Sequence, residues 1–366
     1  MRKSLIYVGL DVHKSSIAIA MAKGKGRAEV VETISNDWTR LLKALGELGA
    51  VQRLRVCYEA GPTGYGLARR LQASGICCIV IAPSRIPKEP GQRVKTDPRD
   101  ARKLAELLRA GLLTEVKIPE VETEAMRDLE RARDDAKNAE RVVRHQLDKF
   151  LLRHGRIWSK TKWTRLHWSW IKQQEFPAEA SRRVLADHIR AVEEATSRVE
   201  RLEKDIEELV ESWSLAPLVR ALQALRGVRL ISAVILSAEV GDMAQFATAS
   251  KTMAFLGQVP SEDSSGQRCR RGRITRTGNG HVRRILTEAA WNYRFRPRPS
   301  RTIRKRREGL PKEIVAVAEK AEQRLSRRYQ HLINRGKSPP KVATAIAREL
   351  TGFIWAIARE VRSPAA

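Results

Sequence analysis

Four carboxylates stand out by their position in the chain. Asp11 follows an apolar run ending YVGL, and Glu59 follows a second run ending RVCY. Both sit where a strand gives way to a turn, the edge at which α/β sheets present reactive groups. Asp97 and Asp100, in KTDPRDA, are one helical turn apart and share a face if that segment is helical. Any one of these acids alone reads as a surface charge or a helix cap. Grouped, they repel one another unless a cation neutralises them, and hard oxygen donors favour Mg2+ or Mn2+. A two-metal arrangement there would polarise a phosphodiester. The seven histidines, His13 among them, show no ligand spacing, so zinc is not expected and each reads as a surface or packing residue.

A second concentration of chemistry is basic. From Gly266 to Gly309 there are 15 Arg and Lys against 2 acids, a net of +13 over 44 residues. At its edge lies SSGQ, whose composition reads as a solvent loop when taken alone. Beside so many guanidiniums it can present a serine Oγ to a phosphate whose charge is already matched. Arg268, Arg270, Arg271, Arg273 and Arg276 are placed to clamp such a phosphate. Gly278, Asn279 and Gly280 form a turn into a helix over 281–290 that carries Arg283 and Arg284. A third concentration, WSKTKWTRLHWSW, interleaves Trp158, Trp163, Trp168 and Trp170 with Lys160, Lys162, Arg165 and His167. Indoles beside cations stack bases while neutralising phosphates; they form a small satellite core or a protein interface equally well.

The elements that must position these groups follow from apolar periodicity. Three early strands (5–10, 17–21, 29–34) precede strands at 54–58 and 76–82 that alternate with helices at 38–48 and 67–72. That order predicts a mixed sheet, antiparallel first and parallel after, flanked by helices. A helix capped at Asp97 or Asp100 ends at Gly111. Two long charged helices follow, 122–154 and 180–213. The second carries Leu185, Ile189, Val192, Ala195, Val199, Leu202, Ile206, Leu209 and Trp213 at spacings of three and four, a heptad seam for an antiparallel coiled-coil arm or a dimerising helix. Beyond it, Gly227 between two helices can aim backbone N–H groups at a phosphate, although Arg229 stands where a second glycine is usual. The last helix, 342–361, has one apolar face and is expected to dock on a protein surface. The resulting division is 1–115, 116–215, 216–300 and a basic helical tail, 301–366.

Composition bounds the partners. Lys and Arg number 70 against 42 Asp and Glu, a formal net charge of +28, which points to a polyanion. With 42% hydrophobic residues the chain has material for a true core and is not a disordered basic tail. No run approaches the roughly 18 apolar residues of a membrane span, and Asp11, His13 and Lys14 interrupt any signal sequence, so a cytoplasmic protein is expected. The four cysteines are too few for a disulfide scaffold, and Cys77 and Cys78 read as buried reduced thiols.

GLD at 9–11, YEAGPTGYG at 58–66, KTDPRDA at 95–101 and PSEDSSGQ…GRITRTGNGHVRRILTEAAW at 260–291 together resemble the IS110-type insertion-sequence transposases. The resemblance runs from residue 5 to about 295. It implies an RNase H or RuvC-like α/β domain with a DEDD quartet at Asp11, Glu59, Asp97 and Asp100. It also implies a mostly helical second domain whose catalytic serine, immediately before a glycine, falls on Ser265, with Ser264 one residue out of register. It further implies donor and target double-stranded DNA, a structured guide RNA encoded by the element, and strand exchange by a homodimer or homotetramer. Two rival readings of the residues are a junction-resolving nuclease using metal alone and a noncatalytic nucleic-acid-binding scaffold.

Overall fold

The computed structural model describes residues 4–87, 96–265 and 268–362. The chain divides into two compact units, Met1–Pro119 and Glu120–Ala366. The first holds β1 (Ile6–Val12), β2 (Ser16–Lys23), β3 (Glu29–Ser35), α1 (Trp38–Leu48), β4 (Leu54–Glu59), α2 (Gly66–Ala73), β5 (Cys77–Ile81), α3 (Asp97–Arg109) and β6 (Glu115–Val116). Its sheet runs β3-β2-β1-β4-β5-β6. The pairs β1/β2 and β2/β3 are antiparallel, β1/β4 and β4/β5 parallel, and β6 closes antiparallel on β5. Short turns force the first two pairings, whereas a parallel neighbour needs a helical crossover, here α1 and then α2. This is the mixed sheet that the apolar runs predict.

Strand alternation divides the sheet's two faces. Val8, Leu10, Val56, Tyr58 and Val80 bury against Leu41 and Leu45 of α1 and Ala68 and Leu71 of α2. The opposite face is built from small residues, Gly9, Ala18, Ala20 and Ala22, and receives Ala101, Leu104 and Ala105 of α3. The same alternation corrects the reading of the cysteine pair: Cys78 is buried but Cys77 is exposed.

In the second unit, α4 (Val121–Arg153) and α6 (Glu179–Val210) form an antiparallel helical pair bridged by α5 (Arg165–Lys172). The direction follows from the cross-links. Ser214 Oγ donates to Glu122 at 2.9 Å, Arg133 Nε to Glu203 at 2.9 Å, and Thr196 Oγ1 to Glu140 at 3.1 Å, so the partners count down one helix as they count up the other. Leu185, Val192, Val199, Ile206 and Trp213, spaced by seven, are the buried residues of the seam, and Val210 is buried beside them. The seam is thus used within the chain.

The remaining helices are α7 (Ala216–Leu222), α8 (Leu230–Val240), α9 (Ala249–Phe255), α10 (Gly280–Ala290), α11 (Arg301–Arg307), α12 (Lys312–Asn334) and α13 (Pro339–Arg362), with α4, α6, α7 and α10 packed on α8. That helix is apolar all round and almost wholly buried, as a central helix must be. Most of them, α12 and α13 included, contribute to one apolar core, to which α13 gives Val342, Ile346, Leu350, Ile354 and Ile357. The surface on which the last helix docks is this chain's own. Gly227 has φ 82°, and a Cβ there would meet the Ala289 carbonyl oxygen of α10 at 2.4 Å, so close packing dictates this glycine.

Candidate active site

The carboxylate centre is assembled by the two central parallel strands and the helix laid across them. Leu10 and Tyr58 are register partners on β1 and β4, and both point into the α1/α2 core. The next residue on each strand, Asp11 and Glu59, therefore turns to the α3 face at the strands' C-terminal ends. α3 reaches that face because residue 9 has no side chain. A Cβ on Gly9 would stand 2.2 Å from the Ala101 carbonyl oxygen and 2.6 Å from the Ala105 nitrogen. With α3 seated there, its first turn, which carries Asp97 and Asp100, comes to the end of β1.

Of the four predicted acids, Asp11 and Asp97 converge most tightly, and they do so around a residue that sequence reasoning set aside. His13 Nε2 lies 3.3 Å from Asp11 Oδ2 and 3.4 Å from Asp97 Oδ1. Ligand atoms of all three fall within 4.8 Å of one another. The signal was present: Asp11 and His13 are two apart, the spacing that returns a side chain to the same face of an extended chain. Burial holds the Asp11 carboxyl above its ordinary pKa; His13 opposes this, while the charges of Asp97 and then Asp100 add to it. Asp100 is thereby within electrostatic reach of Asp11. Glu59 is exposed on the strand beside Asp11 and is not one of the three convergent ligands. Two or more carboxylates and an imidazole, on a face where a carboxyl is raised by burial and then by like charges, suit a divalent cation.

The serine region is built otherwise. The SSGQ segment, expected as a loop, enters a two-stranded ribbon of β7 (Pro260–Ser265) and β8 (Arg268–Ile274), with Gly266 and Gln267 outside the described residues. Its register pairs Glu262 with Arg271, Asp263 with Arg270, Ser264 with Cys269 and Ser265 with Arg268. Alternation separates the two serines. On one face Ser264 Oγ donates to Glu262 Oε1 at 3.0 Å, and Arg271 Nε stands 3.5 Å from the same carboxylate. The Ser264 hydrogen bond, with Arg271 next, holds the Glu262 carboxyl below its usual pKa. The other face carries Ser265 and Asp263 with Arg268 and Arg270 as cross-strand partners.

A ribbon exposed on both faces is marginal unless its ends are held. At its base Thr275 N donates to Val259 O at 2.9 Å and Arg276 N to Gly257 O at 3.0 Å. Arg283 spends its guanidinium on the carbonyls of Leu256, Thr277 and Gly278. Arg284 pairs with Asp134 of α4 and with Glu288. Arg268, Arg270, Arg271, Arg273 and Arg276 lie exposed along the ribbon and its exit. Asn279 caps α10 through Val282 N and donates from Nδ2 to Glu239 Oε2 at 2.6 Å. Glu239 in turn receives Arg131 through two bonds, at 2.6 and 3.0 Å. Beside it the carboxyl of Glu130, fully buried, is pushed up to a pKa of about 8 by burial and then by Glu239.

The tryptophan segment forms a satellite core. Trp163, Trp168 and Trp170 pack onto Leu147, Phe150, Leu151 and Ile171, and Trp158 and Trp170 flank the buried His167. Lys162 pairs with Asp148 at 2.5 Å, and Lys160 is exposed.

Known proteins resemble the chain along nearly all of this framework. A DEDD transposase model of IS110 type matches residues 8–155, and the model described as transposase IS116/IS110/IS902 family matches residues 219–304. A putative transposase of Sinorhizobium fredii is 44% identical over 362 residues, 97% of this chain and 89% of its own. The transposase for insertion sequence element IS1533 of Leptospira borgpetersenii is 34% identical over 336 residues, 90% of this chain and 97% of its own. A probable family 20 transposase of Pseudomonas aeruginosa is 27% identical over 310 residues, 82% and 83% of the two chains. Among the described residues no helix is long and apolar enough to cross a membrane.

Proposed function

Because the chain belongs to the IS116/IS110/IS902 transposase family, we propose that this DNA transposase cuts and rejoins insertion-element and target DNA by serine transesterification guided by an RNA. The observation that carries the metal-dependent half is the convergence of Asp11, His13 and Asp97. A divalent cation held there, with Glu59 and Asp100 alongside and Mg2+ or Mn2+ the proposed ion, supplies Lewis-acid polarisation of a phosphodiester. Burial and hydrogen bonding of β1 hold Asp11 in place before any substrate arrives. His13 keeps the two aspartates oriented toward one point.

Support for the covalent half comes from the ribbon's register. Ser264 is committed to Glu262, whereas Ser265 has Arg268 directly across from it, with the Asp263 and Arg270 pair further along the same face. Ser265 Oγ attacks phosphorus and the bond to one strand's oxygen breaks. The serine proton passes to solvent or a nearby base, and the departing strand oxygen takes up a proton. A free hydroxyl of a second strand then attacks the same phosphorus and Ser265 leaves, so one phosphodiester replaces another with no nucleotide cofactor. Arg271, Arg273 and Arg276 grip neighbouring phosphates.

The guide RNA rests on the family resemblance, and the ribbon's cationic surface is compatible with it. The assembly is a homodimer or homotetramer that uses surfaces other than the buried seam of α6. The test is to sequence the RNA that co-purifies with the chain and add it to a recombination assay on DNA matching it. Joining that depends on that RNA is the expected result. Joining without RNA removes the guide, and cleavage without joining favours a metal-only nuclease.

A further inference from the structure

Beside the tryptophan tip a groove of about 580 Å³ runs along α4 from Arg133 to Asp148 and is closed by Lys162, Trp163, Arg284 and Glu288. Trp163 has φ 62°, a left-handed conformation that a bulky residue adopts only when its surroundings enforce it. The enforcement is visible. Trp163 N donates to His167 Nδ1 at 2.9 Å, and its ring meets His167 and Trp168 edge-on. The Arg144 guanidinium lies 5.0 Å from the ring centroid. The indole is thus held half-exposed at the groove's wall, where strain of this kind points to a function.

The charge of the groove narrows what fits it. Arg133, Lys137, Arg141, Arg144, Lys162 and Arg284 face four carboxylates. Several are paired within the groove: Glu140 takes Lys137 and Arg144, Asp148 takes Lys162, and Asp134 takes Arg284. A duplex backbone would meet those carboxylates at close quarters. A single unstacked nucleotide would not: its base has a π-face for Trp163, and its edge has donors and acceptors for a mixed lining. The geometry points to this groove as a binding site for one unpaired nucleotide, stacked on Trp163 with its phosphate toward Arg141. The inference rests on nucleic acid being the partner, as in the function proposed above, and adds a subsite to it.

The test measures fluorescence anisotropy of the full chain with short labelled single-stranded RNA and DNA oligonucleotides of one mixed sequence, and with a duplex. Trp163→Leu is expected to weaken single-strand binding about tenfold or more, with Trp163→Phe restoring most of it and duplex affinity unchanged. Phe176→Leu, which alters the same satellite core where it packs on Phe150, is expected to bind as the wild type does. Loss confined to RNA assigns the site to an RNA nucleotide, and loss confined to DNA to an unpaired strand. Unchanged single-strand affinity in Trp163→Leu overturns the inference, as does an equal loss in Phe176→Leu. A wild type that binds duplex but neither single strand overturns this subsite alone. A wild type that binds no nucleic acid overturns the proposed function with it.

Discussion

The carboxylate centre and the serine ribbon are built on opposite principles. Asp11 stands on a strand hydrogen-bonded on both sides, and Asp97 and Asp100 stand on a helix whose approach is set by backbone contact at Gly9. Ser265 stands on a two-stranded ribbon whose described residues are nearly all exposed and which is fastened at its base, where it meets α9 and α10. The first centre needs no substrate to take shape. The second has its charge and register in place on two strands whose side chains are almost all exposed.

Four changes would break or sharpen that contrast. The largest effect is expected from Gly9→Ala, which drives a methyl into the α3 backbone. It should destabilise the N-terminal unit by about 3 kcal/mol in chemical denaturation and abolish cleavage. Gly66→Ala, with open space at its Cβ, should leave both intact. Loss of cleavage without loss of stability would show that α3 is not held by this contact.

The next effect concerns the ribbon's footing. Glu130 is raised to about 8 from an ordinary value of 4.5. The native state therefore holds a proton that the unfolded state releases, and stability falls as pH rises from about 4.5 to about 8 before levelling. Glu130→Gln keeps the uncharged form and should flatten that segment of the stability profile. An unaltered slope would place the titration elsewhere. Asn279→Ala removes both the α10 cap and the bond to Glu239, and should cost about 1–2 kcal/mol by thermal unfolding, with activity falling further than stability alone explains. The smallest effect separates the ribbon's faces. Arg268→Gln should weaken DNA binding severalfold and lower the salt dependence by about one counterion, while Arg271→Gln, whose partner is Glu262, should do less. Equal losses would mean that Arg271 grips as strongly as Arg268 despite its pairing with Glu262.

Much of the first region could be read from residue order. Apolar runs ending in an acid locate Asp11 and Glu59, and the one-turn spacing of Asp97 and Asp100 survives as the first turn of α3. What could not be read was the closeness of α3, because Gly9 lacks a side chain for a contact that only the fold supplies. His13 was set aside since ligand spacing was sought among histidines rather than between a histidine and an aspartate. The ribbon escaped periodicity altogether. SEDSS and RCRRGRI carry almost no apolar residues, so an exposed strand and a solvent loop look alike in sequence. The heptad seam of α6 was plain, but only the structure shows that α4 occupies it.

The most direct measurement is covalent trapping. The full chain is incubated with end-labelled DNA, its co-purified RNA and Mg2+, quenched in detergent, and scored for label that migrates with protein. The account predicts an adduct in the wild type and in Ser264→Ala, and none in Ser265→Ala or Asp11→Asn. An adduct that persists in Ser265→Ala, or one lost in Ser264→Ala alone, would contradict it.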